Sequence, residues 1–146
     1  MSDVTIRSDR APEPVGPYPH ARRVGNLVFV SGMGPRERGT NTVPGVTRDA
    51  DGNMIDYDIA IQTRSVLENI RVVLEDAGLG LDGIVDVLVF LTNIERDFAG
   101  FNRVYGEYFG GEGRPNPTRT TVQVVALPQG GDAPIAVELK VIAVAD

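Results

Sequence analysis

Hydrophobic residues recur along the chain first with the period of strands and then with that of a helix. The stretch ARRVGNLVFVSG predicts a tight β-hairpin, because Gly25 and Asn26 accept the positive φ angles of a two-residue turn. From Asp58 to Ala77 the apolar residues return at helical spacing and define one buried stripe. Asp58 is expected to cap the start of this helix and Gly78 its end.

The second half of the chain predicts a buried strand, a second helix and two further strands. The segment GIVDVLVFLTN, residues 83–93, is almost wholly apolar and β-branched, as expected of a central strand buried on both faces. The second helix should be capped by Asp97 and should stop before Gly110. Two final strands, Arg119 to Leu127 and Ile135 to Val144, flank the loop PQGGDAP and predict a long hairpin.

These elements follow the order ββαβαββ, which predicts an α+β fold with two helices on one face of a mixed sheet. We expect a single domain over residues 1–146, with a flexible head at residues 1–14. Two helices cannot cover both faces of the sheet, although the strand from Ile84 to Leu91 is apolar on both sides. The uncovered face therefore predicts contact with a second copy of the chain, and so a homo-oligomer.

Composition narrows the classes of partner. The formal net charge of -6 disfavours non-specific binding to nucleic acid, because contacts to phosphate need clustered lysine and arginine. The amino end MSDVTIRSDRAPEP carries charges where a signal peptide needs an apolar run, and no segment approaches the ~18 apolar residues of a membrane span. Since the chain also has no cysteine, it is predicted to be cytoplasmic, with no membrane or nucleic-acid partner.

Three candidate cofactor, metal or catalytic sites lack the residues or the spacing that they would need. GMGP, residues 32–35, contains a G-x-G but lacks the third glycine and the following helix of a dinucleotide site. DADGN, residues 49–53, has its glycine in the wrong place for a calcium loop and predicts a turn. His20 is the only histidine, which leaves no basis for a histidine metal site or a serine-hydrolase triad. No cofactor and no metal are predicted.

The two final strands carry the polar groups that could do chemistry. Arg119, Thr121 and Gln123 share one face of their strand, and Glu138 and Lys140 share one face of the last. Alternation alone leaves two interpretations open. These groups either lie on a solvated sheet face, where ion pairs contribute little, or they bind a ligand.

Several blocks of the sequence together resemble the RidA family of imine and enamine deaminases, also called the YjgF family. The resemblance runs from Val15 to Val144 through the blocks VGPYPHA, GNLVFVSG, IQTRSVLENIRVVLEDAG, VFLTNIERDFAGFNRVYGEYF, PTRTTVQV and VELKVIAV. It implies a chorismate-mutase-like fold, a homotrimer, and active sites between subunits. These implications agree with the element order and with the uncovered sheet face.

The resemblance also implies roles for five residues. Arg119 matches the arginine of the family's P-x-R signature and would bind a substrate carboxylate through two parallel hydrogen bonds. Glu138 matches the glutamate of the last strand and would hold and activate the water that attacks the imine carbon. Tyr18, Ser31 and Asn102 match the tyrosine of G-P-Y, the serine of V-S-G and the asparagine of the second helix, and would contact the substrate.

The chain departs from the common family pattern at five positions. Thr121 replaces the cysteine that many members carry two residues after the arginine, so a thiol cannot be required. Pro19 and His20 follow the tyrosine in place of a small residue and a glutamine, and a longer loop carries Arg36 and Arg38. These features resemble the 2-aminomuconate deaminase branch. Its substrate has a second carboxylate, for which His20, Arg36 and Arg38 are the candidate cations.

Two alternatives stay open. A general 2-imino acid deaminase would use Arg119 and Glu138 without a second cation. A non-catalytic small-molecule-binding regulatory protein would need Arg119 and have no use for Glu138. Cleavage of RNA, a role sometimes attached to the family, fits poorly with the acidic net charge.

The predicted final hairpin has a consequence for the site. Its pairing would set Glu138 opposite Val124 and Arg119 opposite Ala143. The two polar residues would then be offset by about five residues, or ~16 Å at ~3.3 Å per residue. One small substrate cannot bridge that distance, so the sequence predicts that Arg119 and Glu138 reach a shared substrate from different subunits.

Overall fold

The computed structural model describes residues 3–146. Its elements, in chain order, are β1 (Asp3–Ile6), β2 (Ala21–Val24), β3 (Leu27–Val30), β4 (Val46–Arg48), β5 (Met54–Tyr57), α1 (Ile59–Asp76), β6 (Ile84–Leu91), α2 (Ile94–Tyr108), β7 (Thr118–Gln123) and β8 (Val137–Val144). Six strands form one mixed sheet in the order β1-β2-β3-β8-β6-β7, and β4 pairs only with β5. The α+β class, with two helices and a mixed sheet, is confirmed.

Helix α1 begins and ends where its sequence signals lie. The side chain of Asp58 accepts hydrogen bonds from the backbone N–H groups of Ala60 and Ile61 at the helix start. Gly78 follows the last turn with φ +80°, a left-handed conformation that glycine adopts at no steric cost. Neither helix within residues 3–146 is long and apolar enough to cross a membrane.

Helix α2 starts one turn earlier than predicted. Asn93 is its cap, since its side chain accepts from the backbone N–H of Arg96 at 3.1 Å. The prediction that Asp97 caps this helix is wrong, because Asp97 lies inside the first turn and is only 1% exposed. Its carboxylate accepts a 2.6 Å hydrogen bond from the Tyr57 hydroxyl of β5. Burial and this bond to a carboxylate raise the pKa of Tyr57 to about 12.

Both helices pack on one face of the six-stranded sheet. Side chains on that face are buried, among them Val87 and Val89 of β6 and Leu139 and Val141 of β8. The opposite face has no helix over it in the described part of the chain. Its half-buried or exposed apolar side chains include Leu27, Phe29, Leu88, Phe90, Val122, Ile142 and Val144. The one-sided covering predicted from the sequence is confirmed.

The prediction that the last two strands form a hairpin is wrong. β7 pairs with β6 in parallel, with Arg119 beside Val87, whereas β8 lies between β3 and β6 and is antiparallel to both. Helix α2 returns the chain from the end of β6 to the start of β7, and strands joined by such a crossover run parallel. β8 is therefore a central strand, and its two neighbours fix the position of Glu138.

Residues 3–14, within the predicted flexible head, carry a strand and buried positions. β1 pairs with β2 from Asp3 opposite Val24 to Ile6 opposite Ala21. Farther along, the side chain of Ala11 is fully buried. The sequence pattern does not predict this strand, because four residues at a sheet edge are too few to establish a period.

Turn chemistry is partly as predicted. Gly25, between β2 and β3, has φ +62°, but Asn26 does not share the positive φ that the two-residue turn was expected to need from both. The DADGN segment is the turn between β4 and β5. The side chain of Asp49 accepts from the backbone N–H groups of Asp51 and Asn53, and Gly52 has φ +84°.

The Tyr57–Asp97 bond provides a stability test. Asp97→Ala would leave the part-buried Tyr57 hydroxyl without its acceptor, so we expect the free energy of unfolding to fall by about 1–3 kcal/mol. Exposed Glu95, in the same helical turn, is the matched control, and Glu95→Ala should cost under about 1 kcal/mol. Urea denaturation of both variants measures the difference. Equal losses would contradict the structural role given to Asp97.

Candidate functional site

A cavity of about 220 Å³ lies where the loop after β3 meets the amino-terminal segment and the start of β8. Five residues singled out from the sequence line it, namely Tyr18, His20, Ser31, Arg36 and Glu138. Residues 12–15 form part of its wall. Segments distant in sequence thus converge near the carboxylate of Glu138.

Glu138 enters the cavity from the uncovered face of the sheet, beside Phe90 of β6. Its carboxylate lies against Gly32, where a Cβ atom would come within 2.5 Å of Oε2. Lys140, two residues along the same face, does not neutralise it, since Lys140 Nζ donates to the carbonyl of Val30 at 2.6 Å. Burial without a compensating charge raises the pKa of Glu138, and burial likewise lowers the pKa of Lys140.

Tyr18 and Ser31 each make a local hydrogen bond at the cavity. The Tyr18 hydroxyl oxygen accepts from the backbone N–H of Val15 at 3.3 Å, so its own proton remains available for a ligand. The Ser31 hydroxyl donates to the carbonyl of Pro19 at 2.8 Å, and its oxygen can still accept. The two side chains therefore offer the cavity one donor and one acceptor.

His20 holds the wall of the cavity through both ring nitrogens. Its Nδ1 accepts from the backbone N–H of Ser8 at 3.0 Å, and its Nε2 lies 2.7 Å from the carbonyl oxygen of Pro12. A backbone N–H can only donate and a carbonyl can only accept, so the ring is the Nε2–H tautomer. With 3% exposure and both nitrogens engaged, His20 has no free group with which to bind a carboxylate.

Arg36 and Arg38 also hold the amino-terminal segment, but their charges differ in environment. Arg38 donates to the carbonyls of Ser8 and Ala11 and forms a 2.6 Å ion pair with Glu13. Arg36 donates to the Glu13 carbonyl and, at 2.6 Å, to Asn41 Oδ1, which are both neutral acceptors. Within residues 3–146, Arg36 is thus a cavity-lining cation without a carboxylate partner.

Arg119 lies away from this cavity, on the face of the sheet that the helices cover. Its neighbour Val87 in β6 points toward the helices, and Arg119 lies beside three aromatic rings of α2. The distances from Arg119 Cζ to the ring centroids are 4.8 Å for Tyr105, 5.6 Å for Phe101 and 5.8 Å for Phe98. An aromatic stripe at helical spacing does not reveal a facing cation, so the contact between Arg119 and these rings could not be predicted from the sequence.

Thr121 and Asn102 belong to the same region as Arg119. Thr121 follows Arg119 by two residues on the same face of β7, and its buried hydroxyl has no hydrogen-bond partner among the described residues. Asn102 is half-buried on α2 and lies between Phe98 and Tyr105 along one helical stripe. The predicted site residues thus form two groups, one around Glu138 and one around Arg119.

The sheet separates the two groups. β8 and β7 lie on either side of β6, about 9.6 Å apart at ~4.8 Å per strand. Through Phe90, Glu138 is level with Val122, three residues beyond Arg119, or ~10 Å along the strand. The two Cα atoms are therefore about 14 Å apart, with side chains on opposite faces. The 16 Å predicted from a hairpin rested on the wrong topology, and the parallel pairing gives a similar separation.

The chain matches a known protein family along almost its whole length. The family model described as endoribonuclease L-PSP matches residues 8–145. A RutC family protein from Pyrococcus abyssi is 38% identical over 143 residues, which cover 98% of each chain. TdcF from Escherichia coli, named as a reactive intermediate deaminase, is 34% identical over 139 residues and 95% of each chain.

The chain is also similar to solved structures along almost its whole length. The chain is similar to the crystal structure of E. coli TdcF with bound serine, with a TM-score of 0.81 and 33% identity over 98% of this chain and 99% of the other. The E. coli YjgF gene product gives a TM-score of 0.81 and 31% identity over the same shares. Both similarities extend over almost the entire length of the fold described above.

The pKa of Glu138 leads to a test of the site's electrostatics. A raised pKa in the folded state contributes stability that is fully present below the ordinary glutamate pKa and is lost as pH rises through the folded value. We therefore expect Glu138→Gln to raise the melting temperature relative to the native protein at about pH 7.5, with a smaller gain at about pH 4.

Glu107 provides the control of opposite sign. A hydrogen bond from Arg64 lowers the pKa of this exposed carboxylate, so its stabilisation is present at neutral pH and fades as pH falls. Glu107→Gln should therefore lower the melting temperature slightly at about pH 7.5. Thermal denaturation at both pH values checks the pair of predictions, and a lower melting temperature for Glu138→Gln at about pH 7.5 would contradict the account of Glu138.

Proposed function

We propose that this chain, which belongs to the RidA family, hydrolyses 2-imino acids and their enamine tautomers. The model of this family is described as endoribonuclease L-PSP. The observation that carries the proposal is the pair of complementary groups. Glu138 is a half-buried carboxylate with a raised pKa beside a cavity, and Arg119 is a guanidinium with no acidic partner within residues 3–146. A base and a carboxylate receptor are what this reaction needs.

The proposed reaction adds water to the imine carbon and releases ammonia. Glu138 accepts a proton from the attacking water, whose oxygen forms a bond to C2. The same proton passes to the nitrogen as the C2–N double bond becomes single, which gives a 2-amino-2-hydroxy acid. Glu138 then accepts the hydroxyl proton and passes it to the nitrogen as the C2–N bond breaks, so that a 2-oxo acid and ammonia leave. A raised pKa suits Glu138 for accepting and returning protons, because the pKa of the carboxyl group then lies closer to the operating pH. Arg119 holds the adjacent carboxylate through two N–H groups.

The two groups would meet only between subunits. Their ~14 Å separation and opposite faces exclude a shared small ligand within one chain. A second copy seated on the uncovered apolar face would bring its own Arg119 region to the first chain's Glu138 cavity. We propose a homotrimer on this basis, in which Asn102 and Thr121 accompany Arg119 while Tyr18 and Ser31 accompany Glu138. Closed cyclic symmetry makes all the sites equivalent.

The substrate that we favour is a dicarboxylate, and 2-aminomuconate is the specific candidate. A second carboxylate needs a second cation, and the three candidates are no longer equal. Both nitrogens of His20 are bonded to backbone groups, and Arg38 is paired with Glu13. Arg36 lines the cavity without an acidic partner, so the proposal assigns it the second carboxylate.

Two rival functions are weaker. A non-catalytic binding protein gains nothing from a carboxylate that is buried without a cation, since burying it costs free energy. Cleavage of RNA is disfavoured by the net charge of -6, which repels a polyanion. A general 2-imino acid deaminase remains the serious alternative, because it shares every proposed step and differs only at Arg36.

Arg36 separates the two deaminase hypotheses. We expect Arg36→Gln to raise KM for freshly generated 2-aminomuconate about 10-fold or more, because it removes the charge proposed to bind the second carboxylate. Turnover of 2-iminopropionate should change by less than about 2-fold, because it has no second carboxylate. Ammonia release measures both. Arg38→Gln is the matched control, and equal losses on both substrates in Arg36→Gln would favour the general deaminase.

Mixing inactive chains tests whether the site is shared. Arg119→Ala and Glu138→Gln should each be inactive alone, whereas dissociation and joint reassembly should restore about a quarter of the sites in a 1:1 mixture. Ammonia release from 2-iminopropionate is the measurement, and native mass spectrometry verifies that mixed oligomers formed. If verified mixed oligomers recover no activity, the two residues do not serve one site from different subunits.

A further inference from the structure

Aromatic rings hold the guanidinium of Arg119 without any polar partner. Three ring centroids of α2 lie between 4.8 and 5.8 Å from its Cζ atom, within the range of cation–π attraction. Within residues 3–146 the guanidinium makes no hydrogen bond and no ion pair, although it carries five N–H donors. Its direction is therefore set by packing against the rings.

The nearest ring is itself well fixed. Tyr105 packs between Phe101 and Phe109, with centroid distances of 5.5 and 4.5 Å. Both phenylalanines are buried, so Tyr105 has little freedom to turn. Phe98, which is 38% exposed, marks the outer edge of the stripe.

We propose that Tyr105, supported by Phe98 and Phe101, is a positioning residue that orients Arg119 for binding a carboxylate. This inference rests on the proposed function. An acidic partner could also orient an arginine, but it would compete with the substrate carboxylate for the same N–H donors. A ring contacts the flat face of the guanidinium and leaves its N–H edge and its charge free. The arginine is thereby held in place and remains able to bind an anion.

The ring of Tyr105, and not its hydroxyl, performs this role. The hydroxyl is buried and has no hydrogen-bond partner among the described residues, so it contributes nothing to holding Arg119. An unpaired buried hydroxyl is destabilising. Tyr105→Phe should therefore keep the orientation of Arg119 with an unchanged or higher melting temperature, whereas Tyr105→Leu removes the π face but retains apolar bulk.

Side-chain NMR tests the proposal without relying on any enzymatic activity. The Nε–H order parameter of Arg119, assigned by its absence in Arg119→Lys, should exceed about 0.6 in the native protein and in Tyr105→Phe, and should fall below it in Tyr105→Leu. Exposed Arg103 provides the mobile reference. If Tyr105→Leu does not fold, Phe98→Leu at the exposed edge should give a smaller fall. An Arg119 as mobile as Arg103 in the native protein, or one unaffected by both leucine variants, would overturn the inference.

Ligand titration tests whether the orientation of Arg119 affects the binding of a carboxylate. Titration with pyruvate, with pyruvamide as the probe that lacks a carboxylate, should show about 3- to 30-fold weaker pyruvate binding in Tyr105→Leu and less than about 2-fold in Tyr105→Phe. Equal weakening in both variants would assign the effect to the hydroxyl and overturn the proposal. Native protein that binds pyruvate and releases no ammonia from imino acids would reject the deaminase function alone. No binding of pyruvate at all would reject both.

Discussion

Across residues 3–146, helices cover only one face of the sheet, and this constraint decides on which face each candidate group lies. Strand alternation sends Arg119 toward the helices and Glu138 away from them. Among the described residues, no helix covers the apolar side chains on the face of Glu138, such as Phe29 and Ile142. The one-sided helix layer thus leaves an apolar surface uncovered, and the polar groups of one chain lie on two opposite faces of the sheet. A second copy would resolve both features with one contact.

The amino-terminal segment shows how a polar, proline-containing stretch becomes part of a site. Several of its carbonyl groups lie beyond the end of β1, and side chains from elsewhere donate hydrogen bonds to them. His20 donates to the carbonyl of Pro12, and Arg36 donates to that of Glu13. Arg38 donates to the carbonyls of Ser8 and Ala11. The loop that carries both arginines therefore supports a wall of the cavity, and only Arg36 keeps an uncompensated charge beside it.

The sequence predicts the elements of this fold better than their pairing. Helix α1 and strand β6 follow from periodicity and caps, since these are local signals. The parallel pairing of β7 does not follow, because alternation in Thr118–Gln123 is the same for either direction of pairing. Asp97 illustrates a similar limit, since a carboxylate near a helix start suits a cap or a buried acceptor equally. Motif resemblance predicted Arg119 and Glu138 as site residues, whereas the neutral acceptors of Arg36 and the rings around Arg119 are visible only in the three-dimensional structure.

Gly32 places the proposed catalytic carboxylate by having no side chain. A methyl group there would lie 2.5 Å from Glu138 Oε2, yet the displaced atom is the end of a flexible side chain, which can move at small cost. Folding and function are therefore separable at this position, because the chain can keep its core while the carboxylate leaves its place. A selection that scores only expression or solubility would retain such a change, so variant libraries of this protein need a chemical readout at residue 32.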